Sequence, residues 1–238
     1  MQSKCPTRLP SEWPMANIPG HVRAIIQQIE GRLASYYDLS LGFDAGNFLL
    51  PLVPAEKDEP PGGRLLVLTE DTLFLGVEIN ETAAEGIKNI SPGSKINSQQ
   101  LSALAVVIEE ISHFHLVVQR ANAGLETSKL ELEWQGEVDK LVVLAHFSGG
   151  GNFAATLHRL HNILSGSFRV RTDLPAEDAL RYAEATHYFE CLWFRHLKPA
   201  ITSAIAGNMS PLDHPEVRAH LRQLYRKSWQ QKVEVLAA

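Results

Sequence analysis

Two glutamate–histidine pairs are the residues of this 238-residue chain whose types and spacing best suit chemistry. They are Glu110 with His113, and Glu184 with His187. A spacing of three residues places both side chains on one side of a helix, where a carboxylate and an imidazole can bind the same metal ion. A helix predicted between the two pairs carries three further carboxylates, Glu131, Glu133 and Glu137, of which Glu137 is the candidate ligand. Oxygen and imidazole ligands favour iron or manganese.

The two Glu-x-x-His pairs resemble the pattern of the ferritin-like di-iron proteins, in which the helices of a bundle also supply two further carboxylates. The resemblance implies a di-iron or di-manganese carboxylate centre and an oxidoreductase activity. In that family a lone carboxylate precedes the Glu-x-x-His pair within each helical hairpin. Here Glu110 and His113 come first and the lone glutamates follow, so the order of the ligands departs from the family's pattern.

Helical periodicity predicts that Glu110 and His113 face solvent. Within residues 99–122 the apolar residues recur every three or four positions and form one stripe, and these two side chains fall on the opposite side. A glutamate and a histidine on the solvated side of a helix are an ordinary surface feature. The periodicity therefore argues against a metal centre built on this pair.

The same periodicity places His115 and Glu137 inside apolar stripes, so we expect both side chains to be buried. A buried carboxylate needs a partner or a raised pKa. If the two helices that carry them pack together, His115 and Glu137 face a shared interior. They would then form either an acid–base or ligand pair, or a hydrogen bond that only fixes the packing, and we favour the second.

Residues 176–198 form a predicted helix that is apolar on nearly all sides, which indicates burial between layers or contact with another chain. Glu184 and His187 lie on its more mixed side, where charges at the ends of a core helix are the simpler interpretation. Cys191 lies about one turn from His187, and a buried structural thiol is favoured over a nucleophile there. We therefore interpret this helix mainly as a packing or dimer surface.

Arg218, Arg222 and Arg226 form a row at spacings of four residues on the last predicted helix, residues 215–236. Such a row can bind phosphates or an acidic protein partner, so these arginines are candidate partner-binding residues. The formal net charge of −5 argues against nucleic-acid binding. An ordinary solvated face is the favoured interpretation.

The composition, with 45% hydrophobic and 21% charged residues, is that of a folded globular protein. The apolar runs are shorter than the roughly 20 residues needed to cross a bilayer, so we expect no membrane insertion. Cys5 and Cys191 are too far apart in the chain to indicate a disulfide framework, and the N-terminus does not resemble a secretory signal. These features predict a cytoplasmic protein.

The succession of elements predicts an α+β chain that is mostly α. Residues 1–18 are expected to form an extended arm, and residues 19–90 a helix with a small antiparallel sheet. In that sheet the apolar runs 64–69 and 73–79 form a hairpin, with 47–53 as its neighbour. Residues 91–238 are expected to form a bundle of about five helices, at 99–122, 129–147, 153–164, 176–198 and 215–236.

Two functions stay open, and with them the question of whether the chain is an enzyme. We favour a non-enzymatic interaction or regulatory protein, which acts without a cofactor through a protein partner or as a homodimer, because the helix at 176–198 has excess apolar surface. The alternative is a metal-dependent helical-bundle oxidoreductase with iron or manganese. Its candidate catalytic or metal-binding residues are Glu110, His113, His115, Glu137, Glu184 and His187.

Overall fold

The computed structural model of this protein describes residues 6–8, 18–40, 42–69, 73–148, 153–167, 175–204 and 210–237. It confirms a mostly helical α+β fold with a small sheet. The strands are β1 (Pro6–Arg8), β2 (Gly63–Thr69) and β3 (Leu73–Ile79). The helices are α1 (Gly20–Tyr37), α2 (Glu81–Gly86), α3 (Ser98–Asn122), α4 (Lys129–Ser148), α5 (Phe153–Ser167), α6 (Ala176–Leu192), α7 (Lys198–Ala204), α8 (Pro215–Arg226) and α9 (Trp229–Ala237).

The predicted hairpin is confirmed, since β2 and β3 pair antiparallel with Gly63 opposite Ile79 and Thr69 opposite Leu73. β1 pairs in parallel with the other edge of β3. It falls within the segment for which the sequence predicted an extended arm. The sheet is therefore built around β3, and β2 forms one of its edges.

The prediction that residues 47–53 form a strand is wrong. A 3₁₀ turn occupies Ala45–Phe48, because the Asp44 side chain accepts a hydrogen bond from the backbone N–H of Gly46 and bends the chain there. Beyond the turn, this segment contacts the sheet only through isolated bridges from Leu49 and Val53. It covers the edge of β3 without forming a ladder.

The central pair of helices is α3 and α4, which the short connection after Asn122 folds back on each other. α3 begins at a capping box, in which Asn97 and Gln100 each accept a hydrogen bond from the other's backbone N–H. By length and composition α3 is apolar enough to cross a membrane, but 72% of that apolar window is buried inside the fold, as in the core helix of a soluble protein. The absence of membrane insertion and the cytoplasmic location stay predictions.

The C-terminal segment 215–236 was predicted as one helix, and the structure divides it into α8 and α9. Lys227 adopts an extended backbone conformation between them. Ser228 and Gln231 then form a second capping box, which starts α9 in a new direction. The predicted helix at 176–198 is also divided: α6 ends at Leu192, and a π-helical turn at Trp193–Leu197 joins it to α7.

Candidate metal centre

A cleft of about 1220 Å³ opens between the hairpin and the central helices. β2 forms one wall, α3 and α4 form the floor, and the first turns of α6 close the far side. The wall residues are largely apolar, whereas the floor carries acidic side chains and an imidazole. The polar lining residues include Glu109, Glu110, His113, Glu133 and Arg181, and the turn from α3 to α4 adds Asn122, Glu126, Thr127 and Lys129.

Three residues of this floor can reach one metal ion. Among the described residues, one ligand atom from each of Glu109, His113 and Glu133 lies within 4.8 Å of the other two. Ligand atoms bound at about 2.1 Å from an ion are at most about 4.2 Å apart. Movements of less than about 1 Å would therefore bring all three into coordination.

Two further glutamates lie beside these ligands. Glu110 Oε2 is 3.6 Å from Nδ1 of His113, and Glu137 follows Glu133 by one turn of α4. We call Glu109, Glu110, His113, Glu133 and Glu137 the glutamate–histidine centre. Glu110 is 6% exposed and Glu137 1%, so water solvates neither carboxylate well.

Several polar atoms of the centre are buried without a hydrogen bond. Within the part of the chain that the structure describes, Oε2 of Glu110, Oε2 of Glu137 and Nε2 of His113 have no hydrogen-bond partner. Nε2 of His113 lies on the α4 side, since a Cβ atom added to Gly136 would be 3.3 Å from it. Unpaired buried polar atoms are rare in proteins, because each costs about 1–3 kcal/mol.

Lys140 and Arg181 supply positive charge to the centre. The ammonium of Lys140 forms ion pairs with Glu109, at 3.0 Å, and with Glu137. Arg181 lies 3.4 Å from Glu133 and also pairs with Asp178, at 2.8 Å. If all four glutamates of the centre are ionised, these two cations leave an excess of about two negative charges.

The pKa values reflect this crowding of carboxylates. Burial raises the pKa of Glu137 to about 7, although the nearby Lys140 opposes the change. Burial also raises the pKa of Glu110 and of Glu133. For His113, burial lowers the pKa, but the neighbouring carboxylate of Glu110 and those of Glu109 and Glu133 outweigh it and raise the pKa to about 9. Without a metal ion the centre retains protons.

The prediction that Glu110 and His113 face solvent is wrong: the hairpin covers Glu110, and α4 packs against His113. The packing is close: a Cβ atom added to Gly63 of β2 would lie 2.9 Å from Cγ of Glu110. α3 is therefore covered on two sides: its apolar stripe packs in the core, and β2 lies over its polar side. The helical wheel alone identifies only the first of these contacts.

His115 and Glu137 are both buried, as predicted, but they do not pair with each other. Nε2 of His115 lies 2.9 Å from Oε1 of Glu30 on α1, and that oxygen also accepts a hydrogen bond from the backbone N–H of Ala45. His115 thus belongs to a structural contact that joins α1, α3 and the 3₁₀ turn. Glu137 belongs to the glutamate–histidine centre.

Glu184 and His187 are exposed on α6, and neither belongs to the three-residue ligand group on the cleft floor. The sulfur of Cys191 is 3.8 Å from Nε2 of His187, and this cysteine is partly exposed, which makes the prediction of a buried thiol wrong. α6 packs against α4 and α9, His161 of α5 stacks on its Phe189, and its Leu180 is exposed.

The arginine row contacts the end of α1. Arg218 and Arg222 donate hydrogen bonds to the backbone carbonyls of Ser35 and Tyr36, which lie in the last turn of that helix. Arg226 forms an exposed ion pair with Asp38 at 3.6 Å. Cations at a helix C-terminus are stabilising, so this row has a role inside the chain. Binding of a partner by these arginines stays a prediction.

Glu109 is the ligand that sequence reasoning missed, whereas Glu133 is one of the three carboxylates that it placed between the two pairs. The signal for Glu109 is its spacing of four residues from His113, which also places two side chains on one side of a helix. No protein-family model, no curated protein and no solved structure matches this chain.

Proposed function

We propose that this protein is a metal-dependent enzyme that binds one divalent iron or manganese ion through Glu109, His113 and Glu133 and acts on a small molecule held in the cleft. The observation that carries the proposal is the buried glutamate–histidine centre with unpaired polar atoms at the floor of an open cleft. Such groups are costly to bury without a ligand.

The ligand types support iron or manganese. Two carboxylates and one imidazole are harder ligands than the thiolates that select copper or zinc. Three protein ligands also leave coordination positions open, as catalytic metal sites require. The open positions would face the cleft, because Glu109, His113 and Glu133 all line it.

The charge of the centre supports the same assignment. A divalent ion would compensate the excess of about two negative charges, and it would displace the protons that the raised pKa values indicate. Metal binding also requires a neutral imidazole, which an ion in place of the proton on His113 provides.

The size and lining of the cleft support the proposal that the protein acts on a small molecule. Its volume of about 1220 Å³ is slightly above the usual range for sites that bind such ligands, and its walls are apolar with a few polar groups at the floor. The bound ion would supply Lewis acidity or redox chemistry in this cleft.

Metal analysis of tag-free protein tests this function. After growth with added iron and manganese, we expect about one of these ions per wild-type chain, and a loss of at least about tenfold in His113→Ala and Glu133→Gln. His187→Ala is the matched control, because it removes an exposed histidine of the other pair, and it should keep its metal. Wild-type protein without metal, or His113→Ala with as much metal as the control, would rule the proposal out.

Self-association is the second candidate function. Leu180 is 62% exposed on α6 and Phe194 is 55% exposed on the π-helical turn that follows, which favours contact with another chain. Light scattering after size exclusion should then show a dimer that Leu180→Ser and Phe194→Ser weaken. A strict monomer at all concentrations would remove this candidate and leave the metal proposal unaffected.

A further inference from the structure

Lys140 bridges two glutamates of the centre. Its ammonium nitrogen contacts Glu109 on α3 and Glu137 on its own helix, and its side chain is only 6% exposed. Two carboxylates, and not water, therefore surround the charge of this ammonium.

Glu109 connects this cation to the proposed metal ligands. It belongs to the group with His113 and Glu133, and it also accepts the ion pair from Lys140. On the other side of the ammonium, Glu137 has a second oxygen without a hydrogen bond. A metal ion in place of the ammonium would thus find Glu109 as a bridging ligand and Glu137 as a terminal one. Bridged metal pairs in helical bundles have this arrangement of carboxylates.

We propose that Lys140 occupies the second cation position of the centre and thereby limits it to a single metal ion. This inference rests on the proposed function. The ammonium and a second ion exclude each other, because both would have to lie between Glu109 and Glu137. The resemblance to di-iron proteins would then stop at the types of ligand, and the chemistry would be that of one metal ion.

The charges of the centre agree with a single ion. With Lys140 and Arg181 present, the four glutamates leave an excess of about two negative charges, which one divalent ion compensates. Without the ammonium the excess is about three, and a second divalent ion becomes favourable. Arg181 does not compete for the same position, because it pairs with Glu133 and Asp178.

Titration of metal-free protein with Mn²⁺ alone tests the inference. We expect calorimetry to give one ion per chain for the wild type and two for Lys140→Met, which removes the charge but keeps an unbranched side chain of similar length. Electron paramagnetic resonance should show the six-line signal of an isolated Mn²⁺ ion in the wild type. In Lys140→Met that signal should weaken, because Glu109 would couple two neighbouring ions. Lys140→Arg is the matched control and should still bind one ion.

The outcomes separate this inference from the proposed function. A wild type that binds no Mn²⁺ contradicts the function itself. A wild type that binds two ions, or a folded Lys140→Met that binds one, overturns the role of Lys140 while a metal site remains. Lys140→Gln is the second variant in case Lys140→Met does not fold, and circular dichroism checks the fold. If neither variant folds, Lys140 is a structural cation and the inference is wrong.

Discussion

Two buried polar clusters join α3 to α4, and among the described residues they differ in whether carboxylate oxygens are left without a hydrogen bond. In the first, Asp139 accepts hydrogen bonds from Tyr37 at 2.5 Å, Ser112 at 2.6 Å and Gln135 at 2.9 Å. Glu131 forms ion pairs with Arg120 at 2.6 Å and Lys232 at 2.9 Å. We call these seven residues the paired network. Both of its carboxylates have partners for their charge.

The glutamate–histidine centre lies on the same two helices but leaves oxygens of Glu110 and Glu137 without hydrogen bonds. Its burial is similar, since Glu131 and Glu137 are each 1% exposed. The paired network anchors α9, through Lys232, to the bundle, and it lies away from the lining of the cleft. The comparison shows that burial alone does not distinguish the two clusters, and that acceptors without hydrogen bonds beside a cleft do, which is why the second cluster is the candidate site.

Removal of a carboxylate from the paired network should have the largest effect. Glu131→Gln leaves Arg120 and Lys232 buried without their counter-charge, and breaking a buried ion pair costs about 3–5 kcal/mol. We expect the free energy of unfolding in urea to fall by about that amount. A loss below about 1 kcal/mol would mean that this network does not hold the C-terminal helix in place.

In the metal-free protein, the glutamate–histidine centre should make the free energy of unfolding depend on pH. His113 has a pKa raised to about 9 in the folded state, and Glu137 a pKa raised to about 7. A raised folded-state pKa stabilises the fold at low pH, and this stabilisation is lost as the pH rises through that value. Between pH 6.5 and 8 we therefore expect the contribution of these two groups to the free energy of unfolding to decrease, by on the order of 2 kcal/mol.

Groups outside the centre oppose this trend. Burial lowers the pKa of His146, His196 and His220, and that of Lys232 to about 8, so these groups favour the folded state as the pH rises through the same window. The contribution of the centre is therefore the difference in pH dependence between the wild type and the double variant with His113→Gln and Glu137→Gln. Saturating Mn²⁺ should cancel this contribution, and equal pH dependence of the wild type and the double variant in metal-free buffer would contradict the assignment.

Glu137→Gln is the counterpart of Glu131→Gln on the same helix, and its effect on stability should be much smaller. It removes a carboxylate that burial disfavours, while Lys140 keeps its ion pair with Glu109. We expect the free energy of unfolding of the metal-free protein to change by less than about 1 kcal/mol. The affinity for Mn²⁺ should fall about 10- to 100-fold, as for the loss of a residue that supports a metal ligand. Equal destabilisation by the two substitutions would remove the distinction between the clusters.

Gly136→Ala should have the smallest effect on stability. Alanine favours a helix over glycine by up to about 1 kcal/mol, but the new methyl group would lie 3.3 Å from Nε2 of His113. These effects oppose each other, so the net change should stay below about 1 kcal/mol, while the affinity for Mn²⁺ falls about tenfold. Gly31→Ala on α1 is the matched control, because no atom crowds that position, and it should leave metal binding unchanged.

The local sequence was sufficient to predict the two helices that carry the glutamate–histidine centre. The apolar periodicity of residues 99–122 predicts α3 to within one residue at its start, and that of 129–147 predicts α4 equally well. The same patterns correctly predict that His115 and Glu137 are buried. These properties depend on residues within one or two helical turns of each other, so the local sequence is enough to predict them.

Only the tertiary structure decided which of these side chains meet. Glu30 lies 85 positions before His115 in the chain, and no local pattern connects them. Glu110 leaves solvent because β2 covers it, and His113 because it packs against Gly136 of α4, although a helical wheel assigns both to water. A wheel assumes one packed side per helix, whereas a helix between a sheet and a second helix has two. The burial of this centre therefore comes from packing between separate segments, which the sequence pattern does not encode.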